Sequence, residues 1–78
     1  IDSRQDPAKA QVRDAAMMAL RESVAGLPDS QRRVWVMAQI DGFEYAEIAD
    51  IEELPRSTVR GRLARARATI AKEMESWR

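Results

Sequence analysis

Cysteine and histidine are both missing from the 78 residues. Without cysteine there is no disulfide staple and no thiolate metal site, a composition that fits a reducing, cytoplasmic compartment. Without histidine the chain lacks the commonest general base and the commonest metal ligand. Aromatic residues make up only 5% of the chain, glycine occurs three times, and no Gly-rich phosphate loop is present. No apolar run nears the ~20 residues that span a bilayer, and the first residues do not read as a signal peptide. Strand-like alternation of apolar and polar residues is absent at any useful length. These absences argue against an enzyme and against any cofactor. The carboxylates Glu44, Glu47, Asp50, Glu52 and Glu53 suggest at most a hard metal, and a solvated acidic surface is the simpler reading.

What is there is charge, unevenly placed. Residues 1–54 hold six Lys/Arg against eleven Asp/Glu, a balance of −5, whereas residues 55–78 hold seven against two, a balance of +5. A polyanion would be drawn to the last third and repelled by the rest. A protein whose acidic and basic parts neutralise each other has the same totals, so the pattern has to decide. The length is that of one small domain. Residues 1–6 read as a linker remnant and residues 7–78 as the domain.

Apolar residues recur at helical spacing, which predicts an all-α fold. The first helix is expected from Pro7 to Ala25, with Asp6 as N-cap, Gly26 as stop, and Val12, Ala16, Ala19, Leu20, Ser23 and Val24 on the buried face. A second helix is expected from Asp29 to Ile40, capped by Asp29 or Ser30. It buries Val34, Met37 and Ala38, with Trp35 in the core and Asp41-Gly42 as its end. A short third helix spans Tyr45 to Ile51, with Ile48, Ala49 and Ile51 apolar. The fourth begins near Pro55 and reaches toward Trp77, with Ser57 and Thr58 in its first turn. Its buried stripe is Val59, Leu63, Ala66, Ile70 and Met74.

A short helix, a tight turn and a longer helix form the layout of a helix-turn-helix, whose second helix enters the DNA major groove. At about 100° per residue, the side of the last helix opposite its stripe carries Ser57, Gly61, Ala64, Arg65 and Ala68, flanked by Arg60 and Arg62. That face has no acidic residue before Glu73. Small residues let a helix backbone approach base edges, while flanking arginines reach guanine or phosphate. Gly61 is the sharpest sign, because mid-helix glycine costs ~1 kcal/mol relative to alanine and close approach is a reason to keep it.

The ordered pattern Leu27-Pro28, Arg32 or Arg33 with Val34, Gly42, Tyr45, Glu47-Ile48-Ala49, Thr58-Val59, Arg62-Leu63 and Arg65-Ala66-Arg67 resembles region four of bacterial extracytoplasmic-function sigma factors. The resemblance covers about residues 27–72. Two positions depart from it: Glu53 stands where the family usually has the turn glycine, and Ser57 where it has glycine before Thr-Val. The resemblance implies a four-helix domain of the winged-helix-like class, without a wing, that ends in the helix-turn-helix. It implies binding of double-stranded promoter DNA at the −35 element, docking on the β flap of RNA polymerase, and capture by an anti-sigma factor. Carried over by position, Arg60, Gly61, Ala64 and Arg65 would face the bases. Tyr45, Arg56, Ser57, Thr58 and Arg62 would hold phosphates. For Arg62 and Arg67 an ion pair within the domain is the competing role, and for Tyr45 partial burial in the core.

Two rival readings remain at this stage. The helix-turn-helix effector domain of LuxR-type regulators shares the Arg-x-Val, Glu-Ile-Ala and Ser-Thr-Val skeleton. It usually opens with Leu-Thr, however, and has histidine or similar where Arg62 stands. A helical protein-interaction module with a basic helix for an acidic partner is the other.

Overall fold

The computed structural model describes residues 7–76, with side chains from Gln11 onward. Asp6, Trp77 and the expected linker remnant lie outside these residues. The helical periodicity resolves into α1 (Pro7–Ala25), α2 (Asp29–Gln39), α3 (Tyr45–Glu52) and α4 (Arg56–Glu75), with no strand among the described residues. The caps differ slightly from expectation. α2 starts at Asp29 as expected, but Pro28 (φ −53°, ψ 145°), not Asp29 or Ser30, is its N-cap. Asp29 then sits in the first turn, where its carboxylate complements the helix dipole and pairs with Arg32. Pro55 takes the same N-cap place before α4, and its carbonyl accepts hydrogen bonds from the Thr58 and Val59 amides.

α4 organises the core, since α1, α2 and α3 all pack against it. Its stripe divides between two clusters. Val59 and Leu63 join Val34, Ile48 and Ala49, with Met37, Ala38, Tyr45 and Leu54 half-buried around them. Ala66 and Ile70 join Leu27, with Leu20, Val24 and Met74 alongside. Trp35 is half-buried and touches both clusters, so it links the two rather than filling either. Each fully buried Val, Leu or Ile contributes roughly 1.5–3 kcal/mol of transfer free energy.

Two apolar residues expected on apolar faces, Val12 and Ile51, are exposed. Val12 is 60% exposed, because the cluster against α1 begins at Leu20 and Val24 and the first turns of α1 meet no apolar partner among the described residues. Ile51 and Ile40 are likewise exposed, each lying on the outer side of a helix end. Ser23 is only 4% exposed and its hydroxyl has no hydrogen-bond partner among the described residues. An unmet buried hydroxyl costs about 1–3 kcal/mol, so small size, not polarity, suits serine to this close contact.

α1 ends at Gly26, yet a Cβ there would have ordinary room. The break is set by Pro28, which disfavours helical backbone at Leu27. Arg32 closes the end of α1 by donating to the Ala25 and Leu27 carbonyls. Gly42 has φ +76°, the left-handed backbone that turns the chain out of α2.

Candidate nucleic-acid interface

Three features aim α4. The first is the start of α3, where Glu44 is the N-cap of a reciprocal capping box with Glu47. The Glu44 amide donates to the Glu47 carboxylate at 3.0 Å, while the Glu44 side chain accepts from the Glu47 backbone. The second is an ion pair between α2 and α3: Arg33 donates to Glu52 at 2.7 Å, and the Glu52 side chain is only 9% exposed. The third is the turn itself. Glu53 takes φ 56°, ψ 48°, while the Leu54 amide bonds Ala49 and the Glu53 amide bonds Asp50. This is the closing motif that normally places glycine in the left-handed position. Glutamate there costs roughly 1–2 kcal/mol. Leu54 offsets part of that by packing into the cluster of Val34 and Ile48. The departure from the family pattern is therefore absorbed as backbone strain with the turn length kept.

Beyond the turn, Val59, Leu63, Ala66 and Ile70 face inward and are buried. Ser57, Arg60, Ala64, Arg65 and Ala68 are exposed, with Gly61, Arg62 and Thr58 half-buried and Arg56 exposed at the first helical position. The expected base-facing set, Arg60, Gly61, Ala64 and Arg65, thus shares one accessible surface. The ion pairs among the described residues, Arg32 with Asp29 and Arg33 with Glu52, leave out Arg56, Arg60, Arg62 and Arg65. Among the described residues these four have no acidic partner, and Arg56, Arg60 and Arg65 are exposed. Over Gly61 the nearest atoms to an added Cβ are those of the Arg65 guanidinium, at 3.6 and 3.8 Å. Packing inside the domain therefore does not require glycine, and Arg65 lies back along the helix over the gap that glycine leaves.

Tyr45, at the head of α3, is half-buried against the first cluster, and its hydroxyl accepts a hydrogen bond from Arg67 at 3.2 Å. Arg67 thus bonds a phenol, where an acidic partner was the alternative. Three carboxylates of the segment 44–53 are engaged locally: Glu44 and Glu47 cap α3, and Glu52 pairs with Arg33, while Asp50 and Glu53 are exposed. No group of three acidic side chains among the described residues is placed to hold a metal. No described helix is long and apolar enough to cross a membrane.

Sequence reasoning did not find the capping box, the Arg33–Glu52 pair, or a groove between α1 and α2. That groove, of about 400 Å³, is lined by Met17, Leu20, Val24, Trp35, Val36 and Ile40. The exposed Met17 and Ile40 were its available signals.

Comparison with known proteins agrees with the helix-turn-helix fold. The model of the family described as Sigma-70, region 4 matches residues 17–70. The RNA polymerase sigma-H factor of Pseudomonas aeruginosa is 30% identical over 71 residues, 91% of this chain and 37% of that protein. The ECF RNA polymerase sigma-E factors of Escherichia coli K12 and Salmonella typhimurium are 36% identical over 53 residues, 68% of this chain and 28% of theirs. The chain spans about a third of the length of the curated relatives it matches.

Proposed function

The chain belongs to the sigma-70 region 4 family, and on that premise we propose that it reads the −35 element of bacterial promoters as duplex DNA, within a sigma factor that brings RNA polymerase to transcription initiation. One observation carries the reading: the outward face of α4 is small-residued at its centre and edged by arginines that pair with no acidic side chain among the described residues. With α4 in the major groove and α3 across the backbone, Arg60 and Arg65 reach base edges over the low surface of Gly61 and Ala64. Arg56, Ser57, Thr58, Arg62 and Tyr45 hold phosphates around them. Family membership favours this over the LuxR-type alternative.

The partners follow from the same premise. The domain docks on the β flap of RNA polymerase and is held by an anti-sigma factor. The apolar groove of Met17, Leu20, Val24 and Trp35 supports a protein partner, because it offers burial on a face where α4 offers charge. Promoter melting and −10 recognition fall to the remainder of a longer sigma factor, acting in the bacterial cytoplasm. Tethering to that remainder raises the effective concentration of a module that binds weakly alone.

Fluorescence anisotropy against a duplex carrying a GGAAC-type element, beside a scrambled duplex, at two salt concentrations, tests the proposal. Preferential binding that weakens steeply with salt is expected. Equal binding to both duplexes would reduce α4 to a nonspecific cationic helix and favour the protein-interaction reading.

A further inference from the structure

Arg67 lies outside the set of residues assigned to DNA above, yet it bonds one of them, Tyr45, and so joins the far end of the α4 surface to the head of α3. Arg67 is seven residues past Arg60, which places it within about 20° of Arg60 around the helix and ~10 Å further along. Arg56 falls within about 40° of Arg60 one turn earlier, so Arg56, Arg60 and Arg67 occupy positions along one edge of α4, and Arg67 bonds the Tyr45 hydroxyl. The surroundings of that hydroxyl are otherwise unfavourable to a phosphate, because Glu44 and Glu47 flank it in sequence and carry two carboxylates. Both are engaged by α3's own backbone amides in the capping box, and Arg67 supplies the cation that offsets them.

We propose that Arg67 is a positioning residue for phosphate capture by Tyr45, a role that rests on the DNA-binding reading. Its guanidinium donates to the phenolic oxygen at 3.2 Å. That bond uses a lone pair and leaves the phenol's own proton free to be donated. A hydroxyl that accepts from a cation is also a stronger donor, through the cooperativity of linked hydrogen bonds. The bond fixes the phenol relative to α4, so the phosphate seen by α3 and the bases seen by α4 are held in one register. It adds a polar tie at the surface to the buried cluster of Ile48, Ala49, Val59 and Leu63 that already joins the two helices.

A double-mutant cycle on this chain tests the role, with Tyr45→Phe, Arg67→Gln and the pair measured against the −35-type and scrambled duplexes, and thermal unfolding followed in parallel. Each single change should lower affinity for both duplexes by about three- to tenfold, the worth of one hydrogen bond. The double variant should bind no more weakly than the weaker single, with unfolding midpoints close to the parent. Multiplicative losses would make Arg67 an independent phosphate contact and overturn the pairing. Losses that track a lowered midpoint would make it a structural bond, and no loss on Arg67→Gln would remove the role outright. If the parent chain binds neither duplex at low salt, the DNA-binding reading itself has failed and the pairing with it.

Discussion

Two faces of this small domain are built on opposite principles. The α4 face is polar, low at Gly61 and Ala64, and edged by cations; the α1–α2 groove is apolar, with Met17, Trp35, Val36 and Ile40 in its walls. The first can gain free energy from a polyanion mainly by counterion release and hydrogen bonds, so its binding must weaken with salt. The second gains by removing apolar surface from water, which salt does not screen. Both depend on α4, whose inner stripe carries the two clusters that hold the helices together. A single stripe thus supports two chemically distinct surfaces, and the two can be separated experimentally.

The largest expected effect removes the distinction altogether. Leu63→Ala deletes a fully buried side chain at the centre of α4 and should cost about 2–5 kcal/mol, much of the stability of so small a domain. Chemical denaturation should show it, and loss of both surfaces together would follow. Arg65→Ala acts on one face only: it should cost roughly 1–3 kcal/mol in binding to the preferred duplex and flatten the base preference. A loss equal on every sequence would demote Arg65 to a phosphate contact. Ile40→Glu acts on the other face, where the side chain is already exposed. Binding to RNA polymerase core should fall by about 1–2 kcal/mol while the DNA isotherm stays in place.

Smaller effects sharpen the comparison by giving stability and binding opposite signs. Gly61→Ala should stabilise α4 by about 0.5–1 kcal/mol and yet weaken duplex binding, because the added methyl meets only the movable Arg65 guanidinium within the domain but stands between the helix and the bases. A gain in both would mean that the backbone never comes close to DNA. Glu53→Gly should relieve about 1 kcal/mol of left-handed strain and raise affinity slightly by removing a negative charge near the start of α4.

What could be read beforehand follows from where the physics is local. The stripe of Val59, Leu63, Ala66 and Ile70 fixes the phase of α4, and its complement, the small and cationic face, comes with it. Glu53 was recognisable as a misfit because the turn demands a backbone that glycine adopts freely. The bond between Arg33 and Glu52, by contrast, joins residues nineteen apart and exists only once α2 and α3 are packed. The capping box was hidden because glutamate stands where serine or threonine usually signals an N-cap. Val12 misled because helical spacing shows which side of α1 is apolar, not how far along that side a partner extends.

The most direct test of the account is an NMR titration of the labelled chain with the −35-type duplex, following backbone amide shifts residue by residue. The account predicts that changes gather at Ser57 to Arg65 and at Tyr45, while Met17, Val24 and Ile40 stay still. Changes centred on the α1–α2 groove, or the same changes with a scrambled duplex, would contradict it.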